Sequence, residues 1–423
     1  MSDSRDDIKT AKLRYQVILI VLYLPLTLYV LWIAVRHLDL RFLLQRLGIG
    51  KWYRSDKPIW IHAASVGEVI ATIPLVKALR QEFPNQQILM STTTPTGFQT
   101  IKTRLSGLCG ACYLPIDWTY AVNRFLSSTR PLAALIIETE IWPNLYNAIN
   151  AQDIPLITVN GRISHRTLDA PHWILDLYRD CIKKIDTVLA RSRLDGDRFI
   201  SLGVSNERVK VVGNLKFSPS LCDIEKMKPI LTQAYIVAFS THHNEEEQFA
   251  RMWQHPGYDN YLLVIVPRHP RRRKKITKII TKYTANVAIR SLGDAIQPDT
   301  RVYLADTFGE LTNFLAFANL VIVGGSFVKH GGHNILEPAQ LGKAIICGPS
   351  MENFSDECEL LLQADGLIQC EDVSQLHTHL QQLLQDPHRA AVLGNNAKQT
   401  MSQFSAVVEQ YIEIIQPYLV PAP

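Results

Sequence analysis

The sequence predicts an α/β protein made of two doubly wound parallel-sheet domains behind an apolar amino-terminal segment. Short β-rich apolar runs alternate with amphipathic stretches from Pro58 onward, which is the pattern of βαβ units around a parallel sheet. The alternation runs twice, with a break at 217–232. Ahead of it, Val17 to Val35 contains no charged residue and is about long enough to cross the hydrocarbon layer as one helix.

Composition bounds the reading. A chain of 423 residues holds two or three units at roughly 150 residues each. Lys plus Arg (44) exceeds Asp plus Glu (39) by only 5, too little for a dedicated nucleic-acid binder and enough for a mild preference for anionic partners. Seven cysteines scattered along the chain do not form the dense framework of a secreted scaffold, so reduced thiols are expected. Cys109 and Cys112 form a CxxC with no second pair and no nearby His, which reads as incidental rather than as a zinc or redox site.

The amino-terminal run exceeds the ~7–15 residues of a signal-peptide core and lacks a small-x-small cleavage site, so it reads as a retained anchor. Arg36, Arg41, Arg46, Lys51, Arg54 and Lys57 follow it, while Arg5, Lys9, Lys12 and Arg14 precede it among acidic residues; the balance leans to a cytoplasmic main body. HLDLRFLLQRLG spaces apolar and basic residues at helical intervals, as an interfacial helix would. The expected division is an anchor at 1–37, a first Rossmann-like domain at 38–218 and a second at 219–423.

PIWIHAAS, ILMSTTT, LIIETE, LITVNGR, TVLARS and VKVVGN are the strands expected in the first half; YIVAFSTHH, YLLVIVPRHP, NVAIRS, VYLADT, LVIVGGSF and AIICGPS are those of the second. Such sheets bind ligands beyond the carboxyl ends of their strands, and two of them face to face enclose a cleft suited to a two-substrate reaction. Unusual residues collect at those ends: Ser65 to Glu68, Glu138 to Asn144, Asn160 to Arg162, Arg268 and His269, and Gly324 to Ser326.

Each motif has a bland reading beside the chemical one. In HAASVGEVIATIPLVKALR, Glu68 at a helix start is a favourable dipole partner or, with Gly67 freeing the backbone for ligand approach, a cleft carboxylate. SVGEVIA has one glycine where a dinucleotide fingerprint needs three. In LIIETEIWPNL, the two-residue strand period points Glu138 and Glu140 to one side, where they repel or take cationic partners; solvated strand-end acids are the alternative. Lys216 in VVGNLKFSP is a surface lysine or a cation reaching into the cleft. Arg268 and His269, between two prolines, suit phosphate, whereas Arg271 to Lys275 reads as a solvated face. In LVIVGGSFVKHGGHNILEPAQLGKAIICGP, Asn334 to Glu337 open a helix whose amino end suits an anion, and Glu337 suits ribose hydroxyls. His330 and His333 lack the further ligands of a metal site.

SVGE, TTTPTG, ETEIWPNL, GNLKF, STHHNEE, VPRHP, DTFGEL and GGSFVKHGGHNILEPA, in this order and spacing, resemble the membrane-anchored 3-deoxy-D-manno-octulosonic acid (Kdo) transferases of Gram-negative bacteria. The resemblance runs from the anchor to near the carboxyl end. It implies a GT-B fold, acceptor domain first and CMP-Kdo domain second, and transfer of Kdo from CMP-Kdo to a lipid A precursor (lipid IVA) at the cytoplasmic face of the inner membrane. Matched residue by residue, it implies Glu68 as general base and Glu138 and Lys216 as transition-state stabilisers. It assigns Arg268, His269, Phe308, Gly309, Glu310, Asn334, Ile335, Leu336 and Glu337 to CMP. Asn244 stands where the family usually has Gly. No cofactor, catalytic metal or nucleic acid is expected. The chemistry agrees: sugar transfer needs a base for the acceptor hydroxyl, cations for a leaving phosphate and a stabilised oxocarbenium-like centre. A GT-B enzyme using a UDP-sugar on a lipid-linked acceptor, and a membrane-tethered protein with a dead cleft, are the competing readings.

Overall fold

The computed structural model describes residues 3–52, 57–217, 227–284, 286–404 and 406–419. The chain divides into two compact units: residues 1–218 with 406–423, and residues 219–405.

In the first unit the order is α1 (Asp3–Val21), α2 (Tyr23–His37), α3 (Leu40–Arg46), β1 (Ile59–His62), α4 (Val66–Ala71), α5 (Ile73–Glu82), β2 (Ile88–Thr92), α6 (Pro95–Arg104), β3 (Gly110–Tyr113), α7 (Thr119–Thr129), β4 (Ala133–Ile137), α8 (Pro143–Ala151), β5 (Leu156–Gly161), α9 (His165–Leu168), α10 (His172–Ile182), β6 (Thr187–Ala190), α11 (Arg193–Ser201) and β7 (Val209–Val211). The second unit holds β8 (Tyr235–Thr241), α12 (Glu245–Met252), β9 (Leu262–Pro267), α13 (Arg273–Ile280), β10 (Val287–Ile289), β11 (Val302–Leu304), α14 (Leu311–Phe317), β12 (Leu320–Val323), α15 (Leu336–Gln340), β13 (Ile345–Cys347), α16 (Ser355–Gln363), β14 (Leu367–Gln369), α17 (Val373–Gln385) and α18 (Pro387–Ser402). The last helix, α19 (Val407–Leu419), belongs to the first.

Both sheets are parallel, in the orders β3-β2-β1-β4-β5-β6-β7 and β10-β11-β9-β8-β12-β13-β14. Strand order reverses between β1 and β4 in one and between β8 and β12 in the other, and these switch points open the crevices where such sheets bind ligands. Central strands read as continuous apolar runs because helices cover both faces: Trp60, Leu135 and Ile157 in one sheet, and Ile236, Ile265 and Ile322 in the other, are wholly buried. The expected strands are all present. Two further strands, β3 and β14, lie outside the expected set; both are three or four residues long at sheet edges, where little apolar patterning is required.

The amino terminus corrects an expectation. The charge-free run is two helices, not one: α1 ends at Val21, α2 starts at Tyr23, and their axes meet at 53°. Pro25 explains the break, since it has no N–H to give the Val21 carbonyl and its ring crowds that oxygen. No single helix among the described residues is long and apolar enough to cross a membrane. Nor is 1–37 a free-standing anchor. Ala11, Val30 and Ala34 are buried, Lys12 pairs with Asp180 of α10 at 3.0 Å, and Leu19, Val30 and Ala34 share a core with Phe98, Tyr113 and Trp118. Ile20, Val21, Leu24, Leu28, Trp32 and Val35 remain exposed. The expected interfacial helix is α3; Asp39 caps it through the Phe42 N–H at 2.9 Å, Phe42 is buried against the same core, and Leu40 faces outward.

The carboxyl terminus is the second correction. Helix α19 (Val407–Leu419), expected in the second domain, returns to the first, where the Tyr411 hydroxyl donates to the Gly213 carbonyl at 2.9 Å and Tyr418 meets Thr187 at 2.6 Å.

Candidate active site

In the first unit the loops after β1 and β4 meet at the switch point. Ser65 caps α4: its Oγ accepts from the Glu68 N–H at 3.3 Å and donates to Glu68 Oε1 at 2.7 Å. The Ala64 N–H donates to Glu68 Oε2 at 2.8 Å. Ser65-x-x-Glu68 is thus a variant of the capping box, a signal legible in the sequence that the motif reading passed over. Its hydrogen bonds favour the carboxylate, yet burial outweighs them. With Glu138 and Glu140 adding their repulsion, the Glu68 carboxyl is pushed up to about 7.

Glu138 and Glu140 do reach this site, although not by strand alternation. The strand ends at Ile137, and Glu138 turns the chain with a left-handed φ of 57°. Trp142 Nε1 donates to Glu140 at 3.0 Å, and burial still raises the Glu140 carboxyl. Lys216 lies in a single 3₁₀ turn, Leu215–Phe217, and its Nζ is 3.5 Å from Glu138. That turn is held by Asn160, whose Oδ1 accepts from the Leu215 N–H at 2.9 Å. One centre therefore gathers Glu68, Glu138, Glu140 and Lys216, with Asn160 behind Lys216; Glu140, expected only to share a face with Glu138, and Asn160, expected only at a strand end, are the two without an assigned catalytic role.

In the second unit the loops after β8, β9 and β12 converge in the same way. Glu245 and Glu246 are wholly buried. Glu245 accepts from three backbone N–H groups, of His242 (2.8 Å), Gly325 (2.7 Å) and Phe327 (3.0 Å), and so ties the β8 loop to the β12 loop. Glu246 takes both guanidinium nitrogens of Arg272 at 2.9 and 3.2 Å. A Cβ at Gly324 would sit 2.5 Å from the Phe239 carbonyl, which requires glycine there. Asn244, the departure from the family pattern, has φ 80°, a conformation glycine takes freely and asparagine tolerates.

Over this frame stands a histidine cluster. His242 Nε2 is 2.8 Å from His333 Nε2, His242 stacks on His330 with ring centroids 4.1 Å apart, and His269 lies edge-on at 6.0 Å. Burial, then the neighbouring histidines and Arg268, lowers His242 and His333 to about 4, so both are neutral at pH 7 and one donates to the other. Arg268 and His269 are exposed at the end of β9. Among the described residues no group of three or more His, Cys, Asp or Glu is placed to hold a metal ion.

The other residues assigned to CMP also belong to the second unit, and Glu310, Asn334 and Glu337 have side-chain partners there. Phe308 is 79% exposed and Gly309 has φ 86°. Glu310 pairs bidentately with Arg290 at 3.1 and 2.6 Å and accepts from Thr307. Asn334 Oδ1 accepts from the Leu336 N–H at 3.1 Å, Ile335 and Leu336 are buried, and Glu337 accepts from the Thr312 hydroxyl. The helix expected to open at Asn334 begins at Leu336 and has five residues, too short for a strong dipole site. An open pocket of about 600 Å³ borders His330 and is lined also by Lys329, Gly331, Ser350, Glu352 and Asn353; none of the nine residues named for CMP lines it.

The family model described as 3-deoxy-D-manno-octulosonic-acid transferase (kdotransferase) matches residues 41–219. A 3-deoxy-D-manno-octulosonic acid transferase of Haemophilus influenzae is 31% identical over 371 residues, 85% of this chain and 87% of its own length. The chain belongs to the 3-deoxy-D-manno-octulosonic acid transferase family. A second Kdo transferase, from Rickettsia bellii, is 30% identical over 94% of this chain and 97% of its own length. The UDP-GlcNAc 2-epimerase of Neisseria meningitidis matches in structure with a TM-score of 0.58 over 86% of this chain and 100% of its own, at 13% identity, a likeness of fold alone. This Kdo transferase is thus a glycosyltransferase whose two parallel sheets are of the GT-B kind.

Proposed function

We propose that the enzyme transfers Kdo from CMP-Kdo to a lipid A precursor, lipid IVA, with Glu68 as the general base. The observation that carries this reading is the Glu68 carboxyl itself, placed at a switch point and raised to about 7, where it ionises in the working range and is basic enough to take a hydroxyl proton. The acceptor hydroxyl oxygen bonds to the anomeric carbon of Kdo as the bond from that carbon to the CMP phosphate oxygen breaks; the proton goes to Glu68 and the electron pair leaves with CMP. Glu138 is the anion for the positive charge that develops at the oxocarbenium-like anomeric carbon, and Lys216, paired with it at 3.5 Å, is the cation for the Kdo carboxylate beside that carbon. Arg268 and His269 receive the phosphate, and Glu337 and Asn334 the nucleoside.

Membrane association fits the bent pair α1 and α2, whose outward Ile20, Leu24, Leu28, Trp32 and Val35 suit the interfacial layer on the cytoplasmic side. The test is incubation with CMP-Kdo and a tetraacylated lipid A precursor, followed by mass analysis of the lipid. Addition of Kdo with CMP release supports the reading. Protection against unfolding by UDP and not by CMP would remove the donor assignment.

A further inference from the structure

The buried polar contacts between the amino-terminal helix and the first unit lead to the loop that bears the acidic site residues. Helix α8 begins at Pro143 after Trp142, which supplies no side-chain cap. Its first free N–H groups, those of Asn144 and Leu145, donate instead to Asp117 at 2.9 and 2.8 Å, so a distant carboxylate caps the helix. Asp117 is 3% exposed and Asn144 7%. Both are completed from α1: the Tyr15 hydroxyl donates to Asp117 Oδ2 at 2.8 Å, and Gln16 Nε2 donates to Asn144 Oδ1 at 2.6 Å. Asn144 Nδ2 closes the network on the Asp117 carbonyl at 2.5 Å.

What this network holds is the downstream end of the turn 138–142. The upstream end is the last rung of β4, where the Glu138 N–H donates to the Val159 carbonyl at 2.8 Å. Between them Glu138 sits in a left-handed conformation, φ 57°, that is strained for a residue with a side chain and persists only where its surroundings hold it. Glu138 and Glu140 face Glu68 from this turn, Ser65 and the Ala64 N–H bond it from its own segment, and Lys216 balances Glu138 from the turn at Leu215–Phe217.

We propose that Tyr15 and Gln16 are positioning residues for the acceptor-side site: through Asp117 and Asn144 they fix the turn that carries Glu138 and Glu140, so α1, the first half of the bent apolar pair, is also a strut of the catalytic centre. This rests on the reading of Glu68 as base. It departs from the expectation of a passive tether, because removing a tether leaves the turn intact.

The experiment uses the full chain in detergent with detergent-dispersed tetraacylated acceptor, where tethering contributes nothing. Tyr15→Phe with Gln16→Leu should lower kcat by roughly tenfold or more, since small misplacements of catalytic groups are costly, while affinity for CMP stays at the parent value. The acid limb of the kcat/KM profile should move to lower pH, because Glu138 and Glu140 no longer sit fixed against Glu68. Lys12→Met is the control. It removes the contact to α10, where Lys184 still holds Asp180 at 2.5 Å, and should leave kcat and pH profile unchanged. Parental kcat and pH profile in the double variant would overturn the proposal, whatever happens to its melting temperature. So would an equal loss in Lys12→Met, which would make the effect one of general undocking. If the double variant does not fold, Tyr15→Phe alone carries the same comparison. Full activity in Glu68→Gln would instead sink the base assignment, an outcome separate from these.

Discussion

Glu68 closes the start of α4 through Ser65 and Ala64, and in the proposed mechanism the same carboxyl group also takes a proton. Glu68→Gln preserves the first role and removes the second, so transfer should fall by ~10²–10⁴ with CMP affinity unchanged. Activity within a few-fold of the parent, in a single-turnover assay, would take the role away. The parent rate should rise with pH until the carboxyl ionises near 7 and then level off. The same shift has a stability consequence. A carboxyl raised in the fold is favoured protonated there, so its contribution is fully present below the ordinary 4.5 and is lost as pH rises through about 7. The melting temperature of Glu68→Gln relative to the parent should therefore be higher at pH 8 than at pH 5. His242 and His333 run the other way. Lowered from 6.5 to about 4, they contribute stability above 6.5 that is lost as pH falls towards 4. Arg268→Ala should weaken CMP and CMP-Kdo together by roughly tenfold to a hundredfold, the worth of a charged hydrogen bond, read by calorimetry.

At the scale of elements, both sheets end their site strands with the same device. Asn160 in β5 and Ser240 in β8 take left-handed φ of 56° and 54°, and the pairing register shifts there, between Val159 and Gly161 and between Phe239 and Thr241. Each shift re-aims the chain at the strand end, which is how strands that are mostly apolar in their pairing deliver polar groups at their carboxyl ends. Asn160 also holds the turn of Lys216. Asn160→Ala should cost about 1–3 kcal/mol, from alanine in a left-handed position and from an orphaned Leu215 N–H, and should lower kcat as Lys216 loosens. Denaturant unfolding with kinetics on the same sample checks both; unchanged kcat in a destabilised variant would separate Asn160 from the site.

For the whole molecule, the first and last helices, α1, α2 and α19, are structural parts of the first unit. Tyr411 is wholly buried with its hydroxyl on Gly213, so Tyr411→Ala should destabilise that unit by ~3–5 kcal/mol, as truncation of a large core aromatic does, although it lies at the far end of the sequence. Limited proteolysis that cuts the 219–405 unit first in this variant would contradict the placement. Deleting residues 1–36 removes Tyr15 and Gln16 together with the exposed apolar surface. The truncated enzyme should lose activity on dispersed acceptor as well as on bilayers; normal activity on dispersed acceptor would return the segment to a tether.

Periodicity and composition by themselves determined the two wound sheets, the strand ends where chemistry collects and the apolar amino terminus, because burial of strands on both faces leaves a local apolar signature. Motif order carried the family, and with it the roles proposed for Glu68, Lys216 and Arg268. Other features depended on contacts between residues distant in sequence, which no local pattern encodes. Asp117 caps α8 across 27 positions, Glu245 joins loops 80 positions apart, and His242 meets His333 across 91. The bend at Pro25 was written in the sequence, but the docking of α1 was not, since its partners lie more than a hundred residues on. The carboxyl helix is the same case: its apolar face is legible, and only packing decides which sheet it covers.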